Sequence, residues 1–325
     1  MRVALPAAVL VFFWALGPSA QEPLTLARTI DLPRVEGRID HMAFDLASGH
    51  LFVAALGNNT VEVVDVKAGR DVKSLPGFRE PQGIAVAADA GQVAVANGEG
   101  EGLQLLDAGD YHATGTVRLG DDSDNVRYDP AAKRLYIGFG TGALAAVDPA
   151  GRKVLAEAKV AGHPESFQLE SSGTRAYVNV PTVDQIAVVD RSTMKVIGTW
   201  PVTAAKANFP MALDEANHRL FIGCRRPAKV LVYDTSSGKE VSSFDIVGDT
   251  DDLFYDTTRH RLYVSGGEGY VDVFQESAGR FSRAARLTTA PGARTSLFVP
   301  STNQLYLAVP HRGNQKAEIR VYEVH

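Results

Sequence analysis

The feature that most constrains the fold of this 325-residue chain is a period of about 42 residues. Seven segments share one frame: RIDHMAFD, EPQGIAVA, GDDSDNVRYD, HPESFQLE, NFPMALD, GDTDDLFYD and GARTSLFV. The residue four places before the end of each is His41, Gly83, Asn125, Ser166, Pro210, Asp252 and Thr295, at spacings of 42, 42, 41, 44, 42 and 43. A repeat of this length is one supersecondary unit that buries its apolar face only against a neighbouring copy. Seven copies in series therefore make one body, a single domain over residues 21–325.

Each unit runs through the same order of segments. After the first comes an aromatic or β-branched run such as HLFVAAL, RLYIGFG or RLYVSGG, then a second such as TVEVVDV, QIAVVDR or KVLVYDT, then a weaker one such as DVKSLPG or VIGTWPV. Runs of five to seven residues rich in Val, Tyr and Phe and cut by Gly, Asp and Asn are strands, and no stretch of the repeat region has helical periodicity. Four antiparallel strands in each of seven units predict an all-β, seven-bladed β-propeller, which protects its sheet edges by radial repetition. The last unit stops after its third strand at EIRVYEVH, while LTLARTIDLP near the N-terminus is an orphan strand. Counting strands places that orphan in the last blade, closing the ring. Asp65, Asp107, Asp148, Asp190 and Asp234 end the third strands, where their carboxylates are expected to cap turns.

Composition narrows the function classes. With 45% hydrophobic residues the chain can bury a large core, and a net charge of -5 without basic runs excludes a nucleic-acid footprint. Cys224 is the only cysteine, so no disulfide within the chain and no paired-thiol metal site can form, and the residue is expected to be a small apolar filler at a strand end. The apolar run from Val3 to Leu16, ended by Gly17, Pro18 and small residues, is expected to be a secretory signal peptide over residues 1–20. It is short for a membrane span, and no other stretch approaches that length. The expectation is a monomer without stable membrane insertion, located in the periplasm or secreted.

The stretches RAYVNVPTVDQIAVVDRSTMKVIGTW and HLFVAALGNNTVEVVDVKAGRDVKSLPG resemble the repeat of YVTN-type seven-bladed propellers, the YncE-like exported proteins of bacteria. The resemblance spans the repeat region and implies fold and compartment. Its motif records strands and turns, and members of the family generally have no assigned catalytic constellation.

In a propeller the first strand of every blade lines the central channel, so the residues entering those strands form a ring. Five places before the end of each segment the ring reads Asp40, Gln82, Asp124, Glu165, Phe209, Asp251 and Arg294, and one place later His41, Gly83, Asn125, Ser166, Pro210, Asp252 and Thr295. The candidate ligand-binding set is Asp40, His41, Gln82, Asp124, Asn125, Glu165, Asp251, Asp252 and Arg294, with Arg225, Arg226, His311 and Arg312 able to arrive from other loops. The acidic stretch around Asp121 and Asp124 is one part of this rosette. It is not a helical calcium loop, since Val126 and Ala132 stand where Gly and Glu are required. Crowded carboxylates raise one another's pKa and call for water, Arg or a cation.

Two readings follow. The first is a binding module whose polar channel mouth takes a small molecule, a peptide or an exported protein, without a cofactor. The second is a divalent-metal-dependent hydrolase in which Asp40, Asp124, Glu165 and Asp251 hold Ca²⁺ or Mg²⁺, with Asp251 or Glu165 as base and His41 moving protons. The second draws on a resemblance in geometry to calcium-dependent lactonases of the gluconolactonase class, which implies a metal in the channel. The sequence contains no nucleophile elbow, phosphate loop or His-Glu-x-x-His motif.

Overall fold

The computed structural model describes residues 21–100 and 102–325, so the signal peptide expected over residues 1–20 lies outside the described residues. The described chain forms seven four-stranded antiparallel sheets arranged as a β-propeller. Six blades take their strands in chain order; the innermost strands are Met42–Asp45, Pro81–Ala87, Ser123–Asp129, Phe167–Leu169, Lys206–Asp214 and Thr250–Asp256. In the seventh, Ser296–Val299 is innermost, followed outward by Gln304–Val309, Glu318–Val324 and, at the rim, the N-terminal strand Leu24–Asp31. The only helices among the described residues are four three-residue 3₁₀ turns in loops, and none is long and apolar enough to cross a membrane.

The packing follows from the pattern that produced the strands. Each sheet is apolar on both faces, and seven buried clusters fill the seven gaps between adjacent sheets. The second strands contribute one large ring to almost every gap: Phe52, Tyr136, Tyr177, Phe221, Tyr263 and Tyr306 are all at most 1% exposed, with Ala94 in the corresponding place of the second blade. Blades diverge away from the axis, and an aromatic side chain supplies the bulk that spans the widening gap. Cys224 is fully buried between the fourth and fifth blades, and burial pushes its thiol up to about 12, which fits the expected filler role.

The expected turn caps are present. Asp65 Oδ1 accepts from the amide of Ala68 at 2.8 Å, Asp107 from Gly109 at 2.8 Å, Asp148 from Gly151 at 3.0 Å, Asp190 from Ser192 at 2.8 Å and Asp234 from Ser237 at 2.7 Å. Each carboxylate replaces water on a turn amide that the sheet does not satisfy.

Ring closure rests on the pairing of Leu24–Asp31 with Glu318–Val324, running from Leu24 opposite Val324 to Asp31 opposite Glu318. Ile30 and Leu32 enter the cluster between the seventh and first blades, while Leu24 enters the one between the sixth and seventh. Burying Leu24 and Ile30 alone contributes roughly 3–6 kcal/mol, a large share of the roughly 5–15 kcal/mol that keeps a domain folded. Deleting residues 21–31 is therefore expected to abolish the cooperative melting transition or lower its midpoint by at least about 10 °C. Thermal circular dichroism checks this, and an unchanged midpoint would contradict closure by that strand.

Candidate functional site

The innermost strands do not enter the channel straight. In the second, third, fifth and sixth blades the register shifts near the strand start, and the residues before the shift, Glu80, Asp122, Ala207 and Asp249, have φ between 51° and 58°. A left-handed residue followed by a bulge turns the next side chains away from the sheet. Pro210 is accommodated within one of these bulges, where a missing amide breaks no ladder. Gly83 answers a different demand: a Cβ there would stand 2.1 Å from the carbonyl oxygen of Asp124. Only glycine lets the second blade's entry lie against the third's at this level of the ring.

The result is a cavity of about 380 Å³ on the axis, lined by Asp40, His41, Gln82, Asp124, Glu165, Phe209, Asp251 and Arg294, all of them ring positions. Asn125 and Asp252 are not among its lining residues: Asn125 is buried at 2% exposure, and Asp252 lines a second cavity further along the channel. Of the cations expected from other loops, Arg225 reaches the mouth. Arg226 is exposed, His311 pairs with Glu36 at 2.7 Å, and Arg312 engages Gln315 through its backbone.

Charges at the mouth fall into two groups. Asp251 is held from both sides: Arg225 donates to its Oδ1, and Arg294 Nε lies 2.9 Å from its Oδ2. Arg225 is itself stacked 3.8 Å above the Phe209 ring, which gives the one aromatic ring position a purpose. Asp40 accepts from Arg38 at 2.8 Å and faces His41 at 3.7 Å. Burial raises the Asp40 pKa against the pull of His41 and Arg38, and pushes Asp251 up to about 6 despite its two guanidiniums, so Asp251 stays ionised at neutral pH.

Asp124, His163 and Glu165 make the second group. Their ligating atoms lie within 4.8 Å of one another. His163 Nδ1 is 2.7 Å from the Gly140 carbonyl oxygen and must donate to it, because a carbonyl only accepts. That fixes the ring so that Nε2 faces Asp124 at 3.9 Å. Burial opposes ionisation of Asp124, yet His163 and then His41 hold its carboxyl below the usual range. Burial, reinforced by the facing Asp124 charge, pushes Glu165 up to about 8. Burial also disfavours the charged form of His163, but Asp124 and the Gly140 carbonyl carry it up to about 9. Among the described residues the Glu165 carboxylate has neither an ion pair nor a hydrogen-bond partner.

His163, Arg38, Glu80, Asp122 and Asp249 were outside the expected set, although each sits two places before a ring residue. One further step back along each entry loop finds them, and Arg38, Glu80, Asp122 and His163 line the mouth. His41 lies deepest in the mouth. Burial lowers its proton affinity, but Asp252, Asp40 and Asp124 outweigh that and push it up to about 10.

A family model matching this chain was not found, and no curated protein matches its sequence. Solved structures do match. A chain from the crystal structure of a mitotic checkpoint complex superposes with a TM-score of 0.78 at 13% identity, covering 99% of this chain and 100% of that one. A chain of Kuenenia stuttgartiensis hydrazine synthase superposes with a TM-score of 0.75 at 15% identity, covering 90% and 97%. At such identities the likeness establishes the seven-bladed fold alone, a common protein-binding scaffold whose chemistry resides in individual sites.

The titrations set the sign of a pH dependence. Folded His41 keeps its proton to about pH 10 against an ordinary 6.5, and folded Glu165 keeps its own to about pH 8 against 4.5. In both cases the folded state binds more protons, so the stabilisation is complete below the unfolded value and is lost as pH rises through the folded one. The melting temperature is expected to fall from pH 5 to pH 10, and Glu165→Gln to flatten the part below about pH 8. Scanning calorimetry across that range checks it; a flat or rising wild-type profile would contradict it.

Proposed function

We propose that this protein is an exported binding propeller of the YVTN, YncE-like type, a signal peptide over residues 1–20 followed by one propeller domain over 21–325, working as a monomer in the periplasm or outside the cell. The apolar leader and the repeat sequence support that assignment. Its ligand enters the channel mouth and presents a protonated amine or guanidinium, carried by a peptide, a small molecule or an exported protein. One observation carries this reading: Asp251 and Asp40 already have guanidinium partners, while Asp124 and the unpartnered Glu165 face each other in the same cavity. An incoming cation takes the place of the proton that Glu165 retains and makes charge-assisted hydrogen bonds to both carboxylates inside a polar, partly desolvated pocket.

Calorimetric titration with the N-acetylated, C-amidated tripeptides Gly-Lys-Gly and Gly-norleucine-Gly, which differ only in the side-chain ammonium, tests it. The lysine peptide is expected to bind at least about tenfold more tightly, a difference of about 1.4 kcal/mol, and to lose that advantage when Asp124→Asn and Glu165→Gln are combined. Equal or absent binding of the two peptides overturns the reading.

A second reading is favoured by the His163 geometry. A metal-ligating imidazole characteristically gives its other N–H to a carbonyl or carboxylate, and His163 does so to Gly140 with Nε2 turned toward Asp124. One nitrogen and two carboxylate donors suit Zn²⁺, Mn²⁺ or Fe²⁺ better than Ca²⁺, which takes six to eight oxygens. The four-carboxylate set of Asp40, Asp124, Glu165 and Asp251 fits less well, because guanidiniums occupy Asp40 and Asp251. A cation held by Asp124, His163 and Glu165 would polarise a substrate carbonyl for hydrolysis, with Asp251 as base and His41 moving the proton. Metal analysis of chain purified without chelator, with melting curves before and after chelation, decides this reading. It requires stoichiometric transition metal whose removal lowers the melting temperature; no metal, with unchanged melting in the combined Asp124→Asn and Asp251→Asn variant, retires it.

A further inference from the structure

Below the mouth the channel opens into a second cavity of about 400 Å³, and His41 lines both. Its walls are chiefly apolar, with Met42, Phe44, Ile84, Phe254 and Leu297 contributing. Against them stands Arg127, two residues along the same strand from Asn125 and half-buried in the lining.

Arg127 is a cation without a matching anion. Among the described residues its guanidinium forms no ion pair; Nη1 donates to the carbonyl of neighbouring Val126 at 3.0 Å, and the group lies 5.6 Å from the Phe167 ring centre. Asp252 shares the cavity but is engaged elsewhere, accepting from the Ser296 amide at 2.8 Å through Oδ2 and facing His41 Nδ1 at 3.7 Å through Oδ1. Tyr128 donates its hydroxyl to Asp89. The chamber therefore holds the Arg127 guanidinium without an ion-pair partner, beside an Asp252 carboxylate whose oxygens are engaged elsewhere. Arginine is rarely buried unless paired, and its planar fork matches a carboxylate in two parallel hydrogen bonds.

We infer that this lower chamber is a second ligand site, taking a small monocarboxylate whose carboxylate pairs with Arg127 and whose hydrocarbon body lies along Phe254, Phe44 and Leu297. A volume of about 400 Å³ falls at the small end of the roughly 300–1,000 Å³ usual for small-molecule pockets. The site is distinct from the mouth, with only His41 lining both cavities.

The test is calorimetric titration of the full chain with sodium octanoate, octanol and inorganic phosphate. Octanoate is expected to saturate one site, with octanol at least about tenfold weaker and phosphate weaker still. Arg127→Met should weaken octanoate at least about tenfold, and Phe254→Trp, which keeps the charge but fills the chamber, should weaken it too. Circular dichroism establishes that each variant is folded; if Arg127→Met does not fold, Phe254→Trp and the three-ligand comparison carry the decision. The inference is overturned if octanoate does not saturate, if octanol or phosphate binds as tightly, or if a folded Arg127→Met or Phe254→Trp keeps the wild-type affinity.

Discussion

The structure depends on the fact that no sheet in it can cover its own faces. Each blade is apolar on both sides, and its only partners are the blades before and after it. An open row of such sheets would leave two apolar faces in water at its ends, so burial is complete only when the row closes. The antiparallel pairing of the first and last strands supplies that closure. A convergent axis is a by-product: seven strand entries meet there whatever their sequence, and function is written on whichever side chains they present.

What they present is a partition of charge. At Asp251 and Asp40 the chain supplies its own cations, and these sites are close to neutral as built. Around Asp124, His163 and Glu165 it relies on retained protons, which are mobile. Groups neutralised by protons can exchange them for another cation, whereas a carboxylate clamped by two guanidiniums resists exchange. The distinction separates residues that shape the pocket from residues suited to act in it.

Fold and ring were legible in the sequence because both follow from spacing. Seven units at 41 to 44 residues fix blade number, and the ring residues Asp40, Asp124, Glu165 and Asp251 fall on one column of that frame. The orphan strand was legible for the same reason, by counting. What spacing could not give is rotation about the strand. The shift between Thr250 and Asp252 helps carry Asp252 into the lower chamber, and that between Ser123 and Val126 accompanies the burial of Asn125 away from the mouth. His163 and Arg127 lie one step of two residues before and after the columns considered. Which nitrogen of His163 faces Asp124 is likewise set by its bond to Gly140, a matter of contact and not of residue type.

His41 belongs to both compartments at once. Its Nε2 faces Asp40 and Asp124 on one side and its Nδ1 faces Asp252 on the other, so a single delocalised charge is the partition between them. An imidazolium cannot answer to one side alone: negative charge arriving underneath strengthens its hold on the proton, and positive charge arriving above loosens it. Occupants at the two ends would sense each other through this ring without any backbone moving, and by thermodynamic reciprocity each would alter the other's affinity by the same factor.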